Sequence, residues 1–154
     1  MANDLYAKFP RTDVEGISLP RLLIGTNWML GWSHTTSSAD KMINARYPDA
    51  ESYMELFEAY LRHDVDAAMC PFTQSPRMMN AIRMAEDRFG QGITLIDTPR
   101  IDVDDNPDSR KDAEAVIRQS ARLGSKICLI HHSCAEQLVN KNKGTLERLG
   151  DYTD

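Results

Sequence analysis

The sequence has no surplus of positive charge: 18 Lys and Arg stand against 23 Asp and Glu, a formal net charge of −5. Nucleic-acid phosphates are held by clustered Lys and Arg, and the bases here are interleaved with acids, so no nucleic-acid partner is expected. No apolar run approaches the roughly 20 residues that span a bilayer, so no membrane partner is expected either. The three cysteines, Cys70, Cys128 and Cys134, form no C-x-x-C pair, and an odd number without motif spacing is not a disulfide framework. Reduced thiols, mostly buried, are the expectation. The opening MANDLYAKFPRTD lacks the charged-then-apolar pattern of an export leader, which points to a cytoplasmic location. Neither G-x-G-x-x-G nor G-x-x-x-x-G-K follows the first apolar segment, so the usual nucleotide folds lose their best signature.

What is present is the material of an ordinary globular domain. The chain has 154 residues, 42% hydrophobic and 27% charged, enough to build a sizeable core. Four short apolar runs read as strands: Leu22-Leu23-Ile24, Val65 to Cys70, Ile93 to Ile96, and Ile127 to Ile130. Each is stopped by turn residues and followed by a helical pattern. After the first strand comes a short helix around Lys41 to Ala45, with Ser37 and Ser38 as candidate caps. Beyond Pro48 a second helix carries Tyr53, Leu56, Phe57, Tyr60 and Leu61 at helical spacing. Ser75-Pro76 predicts the next helix start, with Ser as the cap and Pro at the first helical position. Helix three is expected from about Ser109 to Leu123, with Ala113, Val116, Ile117 and Ala121 inward. The last helix is expected from Ser133, where Ser133 and Glu136 have capping-box spacing, and it includes Leu138, Val139, Leu146 and Leu149, weakened at Gly144.

Strands that are continuously apolar are buried on both faces, as in parallel sheets, and a parallel strand needs a crossover of a dozen or more residues. The expected fold class is therefore α/β: four consecutive β-α units with parallel strands, resembling half of a TIM (β/α)8 barrel, over residues 20–154. Residues 1–19 form an arm or short hairpin. Residue-rich loops after every strand favour a barrel, because barrels build their sites there. An open-sheet binding module of flavodoxin type is the competing architecture; it requires a reversal of strand order.

The stretches LPRLLIGTNWMLGWSHT and ICLIHHSCAEQLVNKNKGTLERL resemble the first and fourth strand regions of a group of bacterial TIM-barrel proteins of undefined activity. This resemblance implies the amino-terminal half of such a barrel. A weaker likeness to aldo/keto reductases rests on Gly25-Thr26 followed by Leu30-Gly31. The Asp-Thr-Ala and Tyr-Gly elements of that family are missing, so it is set aside.

Strand ends bring polar residues to one rim on a barrel. The candidates for catalysis are Asp97, His132 and Asn27. The candidates for substrate binding are His34, Trp32 and His131. Asp97 and His132 could also share a divalent metal ion, the one cofactor the sequence suggests. Alternation along a strand lets at most one of His131 and His132 face a common site, and the adjoining helix start leaves His132 freer to turn. Each residue has a plainer alternative. Asp97 can cap a turn, the histidines can bond backbone at a helix end, His34 can be a surface residue, Asn27 can hold a strained turn, and Cys70 can be core. Trp28 and Trp32 could stack a flat or sugar-like ligand or pack over the rim. Asp102, Asp104, Asp105 and Asp108 lack cation-loop spacing and read as a solvated loop.

Three readings of function remain open. One is an enzyme, or part of one, acting on a small polar metabolite as a lyase, isomerase or hydrolase, with or without metal. The second is a non-catalytic half-barrel that self-associates through its open strand edges into a homo-oligomer. The third is an open-sheet α/β ligand-binding module, with its ligand where the strand order reverses.

Overall fold

The computed structural model describes residues 7–104 and 106–141. Gly144, Leu146 and Leu149, assigned to the last helix from sequence, lie outside the described residues, as does Asp105. The elements are β1 (Arg11–Val14), β2 (Ile17–Pro20), β3 (Ile24–Gly25), α1 (Ser37–Arg46), α2 (Met54–Leu61), β4 (Ala67–Cys70), α3 (Pro76–Phe89), β5 (Thr94–Asp97), α4 (Pro107–Arg122), β6 (Ile127–Cys128) and α5 (His132–Lys141). Single 3-10 turns stand at Glu51–Tyr53 and Phe72–Gln74. Strands β3 to β6 form a four-stranded parallel sheet in the order β3-β4-β5-β6 with helices between them, a mixed α/β architecture. Successive strands are neighbours. The reversal that an open flavodoxin-type sheet needs is absent among the described strands. No described helix is long and apolar enough to cross a membrane.

The chain divides into two compact units. One holds the chain up to Cys70 with Ser75–Leu95; the other holds Pro71–Gln74 with the chain from Ile96 on.

In the first unit, the expected arm is a two-stranded antiparallel hairpin, β1 with β2. Its two-residue turn, Glu15-Gly16, has positive φ at both positions (50° and 79°), the mirror-image geometry that matches strand twist. Arg11 ties the hairpin down, its Nη1 lying 2.9 Å from Asp66 Oδ1 just before β4. The first-unit core contains Ile24, Tyr53, Phe57, Met78 and Ile82, all almost fully buried. Met78, Ile82 and Ala85 recur at helical spacing, which is why α3 can offer one continuous apolar face. Gly90, in the left-handed conformation at φ 65°, ends it.

Two helix starts differ in detail from expectation. Ser75 occupies the cap position of α3 but makes no side-chain capping bond, so Pro76 alone marks that start. Helix α1 is capped one residue earlier than expected, by Thr36, whose Oγ1 accepts from Ala39 N–H at 3.2 Å.

In the second unit, α4 begins at Pro107 rather than near Ser109. Asn106 caps it by accepting the Ser109 N–H at 3.0 Å. The buried face of α4 is Ser109, Ala113 and Ser120, while Ala121, expected inward, is exposed. Ile101, Val103, Ala113 and Cys134 form this unit's core, with Val116 and Ile130 packed against it.

Candidate functional site

The loop after β3 belongs to the first unit. Thr26 anchors its start, donating from Oγ1 to Met69 O at 2.9 Å. The backbone then folds back on itself: Leu30 N–H reaches Thr26 O and Trp32 N–H reaches Asn27 O at 2.8 Å. Met29 is buried, and its carbonyl accepts from Tyr53 Oη at 2.6 Å and from Arg77 Nη2 at 3.2 Å. At the far end Ser33 N–H donates to Asp40 Oδ1 at 2.8 Å; the Ser33 hydrogen bonds hold the Asp40 carboxyl below its ordinary range. Gly31 has φ +78°, which favours glycine, and a Cβ there would stand 2.2 Å from Asn44 Nδ2, so a larger residue would displace the Asn44 side chain on α1.

This framework brings together two of the sequence-predicted residues. Asn27 Nδ2 lies 2.8 Å from His34 Nε2. With the amide as donor, Nε2 is the acceptor and the neutral ring carries its proton on Nδ1. His34 itself has φ +57°, a left-handed conformation that histidine adopts more readily than most residues. Trp28 and Trp32 are both exposed.

The rim of β5 and β6 belongs to the second unit. Asp97 is the last residue of β5 and is 0% exposed. Its Oδ1 accepts the Thr73 N–H at 3.4 Å, so the carboxylate holds the 3-10 turn at Phe72–Gln74. Asp97 Oδ2 and Thr73 Oγ1 are buried and have no hydrogen-bond partner. Cys128 is the register partner of Asp97, which puts the two side chains on one face of the sheet. Partial desolvation pushes the Cys128 thiol above its ordinary range, Ser120 opposes this, and the Asp97 charge adds to it. Apart from that thiol, a weak partner, buried Ser120 Oγ on α4 is also unsatisfied. Three buried polar atoms of this unit, on Thr73, Asp97 and Ser120, are thus left without a conventional partner, while Cys128 itself is exposed.

Beyond β6 the parallel pairing continues informally. Leu129 N–H reaches Asp97 O at 2.8 Å and His131 N–H reaches Pro99 O at 3.0 Å. The chain then enters α5 with His131, not Ser133, in the cap position: His131 O accepts the Cys134 N–H at 2.8 Å. The His131 ring serves as the side-chain cap, Nδ1 lying 3.2 Å from the Ser133 N–H. Nδ1 is also 2.7 Å from Ser133 Oγ. The expected Ser133–Glu136 capping box is thus displaced by two residues, because the histidine imidazole reaches the first-turn N–H before the serine hydroxyl can.

His131 is half-buried and His132 is exposed, their ring centroids 4.3 Å apart and their planes inclined at 32°. Desolvation, then the His132 and Arg100 charges, push His131 below its ordinary pKa; Glu136 opposes them weakly. Burial therefore favours the neutral form of His131. Ile130 packs on the second-unit core, so alternation sends the neighbouring His131 ring away from that core. Among the described residues no hydrogen bond or ion pair joins Asp97 to either histidine, and no group of three or more His, Cys, Asp or Glu could hold a metal ion. Asp97 and His132 would have no third side-chain ligand from these residues. Asp102 accepts the Asp104 N–H at 2.9 Å and the Ser109 hydroxyl at 3.0 Å, as a loop-closing residue does.

Sequence reasoning missed Ser133 as a chemical group. The signal was there, since His-x-Ser at a strand-to-helix junction puts the hydroxyl two residues past an imidazole at a helix cap. Its alternative use as a cap hid it. No family model, curated protein or solved structure matches this chain.

Proposed function

We propose that this chain is an enzyme of the hydrolase class, working on an ester or related acyl group of a small polar metabolite, with Ser133 as nucleophile and His131 as base. The observation that carries it is the 2.7 Å contact between Ser133 Oγ and His131 Nδ1, made by an imidazole whose burial favours its neutral form. A serine hydroxyl is a poor nucleophile until a neighbouring base can take its proton, and a depressed imidazole pKa keeps that base in its accepting form.

The chemistry balances on these groups. Ser133 Oγ attacks the carbonyl carbon as its proton passes to His131 Nδ1, and the C=O π pair moves onto oxygen. Collapse of that adduct breaks the bond to the leaving group, which takes the proton from the imidazolium. Water then repeats the sequence and releases the acid. The start of α5, a 10-residue helix, puts a positive dipole end beside Ser133, with the Ser133 and Cys134 N–H groups already bonded to His131. His132 is exposed, its ring tilted against His131; Asp97, enclosed, holds the adjoining turn.

The architecture we favour is half of a TIM-type barrel. Sequential parallel strands without reversal support it, and β3 and β6 are left as edge strands through which a second copy could pair.

A fluorophosphonate probe, followed by peptide mass spectrometry, tests the assignment. Ser133 is expected to be labelled, and labelling is expected to collapse in His131→Gln and to weaken as pH falls and the imidazole protonates. An unlabelled Ser133 in folded protein, or labelling at the native rate in His131→Gln, overturns it.

A further inference from the structure

Both tryptophans of the chain stand on one loop and both are solvent-exposed, Trp28 at 62% and Trp32 at 38%. Tryptophan is on average highly buried. A slack loop could leave indoles out by default, but this one is tied at both ends and in the middle: Thr26 to Met69, Met29 to Tyr53 and Arg77, and Ser33 to Asp40. Its buried anchor, Met29, is 3% exposed between two exposed indoles. Rigid aromatics held out of the core offer contact area at little ordering cost.

The loop also lacks fixed charge. Residues 26–36 contain no Asp, Glu, Lys or Arg in a chain that is 27% charged. A phosphate-bearing ligand would find no cation on the loop. Asn27 precedes Trp28 in sequence, His34 follows Trp32 by two residues, and the two are bonded to each other, which with the amide as donor leaves Asn27 Oδ1 as an acceptor and His34 Nδ1–H as a donor. One acceptor and one donor on a bonded pair suit the hydroxyls of a polyol ring, and an indole face suits that ring's C–H face.

We infer that the loop after β3 is a binding site for a neutral carbohydrate ring, stacked on Trp28 or Trp32 and hydrogen-bonded by the Asn27–His34 pair. This site is independent of Ser133 and His131, so either assignment can fail alone.

The chain has two tryptophans and both are on this loop, so emission excited selectively in tryptophan, beyond the absorption of the five tyrosines, reports on this loop. Titration with methyl glucoside, cellobiose and chitobiose is expected to give a saturable emission change with at least one of them, together with protection from acrylamide quenching. Trp28→Ala and His34→Ala should each weaken that response about tenfold or more, a loss of about 1.4 kcal/mol, with the far-ultraviolet circular dichroism unchanged. Adenosine serves as the flat aromatic comparison. No saturable response to any of the sugars up to about 20 mM, weaker than the usual millimolar limit of specific binding, overturns the inference, as does a response to adenosine alone. If Trp28→Ala unfolds, Trp28→Phe with the same titration carries the test, since it keeps an aromatic face and leaves Trp32 as reporter.

Discussion

Replacing Gly31 by alanine tests whether the loop after β3 is as rigid as its hydrogen bonds imply. Two costs arise and one gain offsets them. At φ +78° an L-residue sits in the left-handed region, at about 1–2 kcal/mol. The new Cβ would lie 2.2 Å from Asn44 Nδ2 and 2.6 Å from Oδ1, so Asn44 must swing out and give up its 2.9 Å bond to Asp40 O. That bond is exposed, so its loss adds only about 0.5 kcal/mol. Alanine recovers about 0.4–1 kcal/mol by restricting the unfolded chain. The net destabilisation is about 1.5 kcal/mol, dominated by backbone strain, and lowers Tm by about 3–6 °C for a chain of this size.

Thermal and urea unfolding of Gly31→Ala, Asn44→Ala and the double variant separate the two costs. The double variant should be less destabilised than the sum of the singles, because Asn44 is already displaced in Gly31→Ala. Most of the loss should nevertheless persist in the double, because strain does not depend on Asn44. Gly25→Ala is the control: nothing lies within 4 Å of its Cβ position and its φ is ordinary, so its effect should stay within about 0.5 kcal/mol. A Gly31→Ala protein as stable as native, or full rescue by Asn44→Ala, would refute the strain argument.

Two further outcomes follow from the second unit and the sheet edges. Because the folded-state pKa of His131 lies below its unfolded value, the unfolded chain takes up the proton first; this residue's share of stability is intact above about pH 6.5 and declines as pH falls below it. Urea midpoints measured from pH 8 to pH 5 should therefore fall less steeply in His131→Gln, and an unchanged slope would remove the linkage. With β3 and β6 as edge strands, sedimentation should show a dimer, and a clean monomer at tens of micromolar, well above the micromolar affinity of a modest interface, would end the self-pairing proposal.

The β-α order was legible because each strand lies on a short apolar run and each helix carries an apolar face at its own period, although β6, expected buried on both faces, is half-buried at Ile127 and exposed at Cys128. Strand lengths were less so. The run through Ile130 reads as one strand, yet β6 ends at Cys128 and the pairing of Leu129 and His131 to β5 backbone continues more loosely. Helix starts were legible where proline marks them, as at Pro76, although the same signature at Asn106-Pro107 was passed over in favour of Ser109. At α5 two residues, two positions apart, could both cap, and composition does not rank an imidazole at His131 against a hydroxyl at Ser133.

The sequence by itself determined the alternation of strand and helix, the absence of nucleotide and disulfide signatures, and the clustering of polar residues just past the strands. Those follow from local hydrophobic periodicity and turn chemistry, which act within a few residues. Only the tertiary structure decided that Asp97 supports Thr73, 24 positions away, rather than either histidine, and that Asn27 and His34 bond while Trp28 and, less so, Trp32 remain partly exposed. Side-chain partners are chosen by distance and direction in the folded chain, and periodicity carries neither.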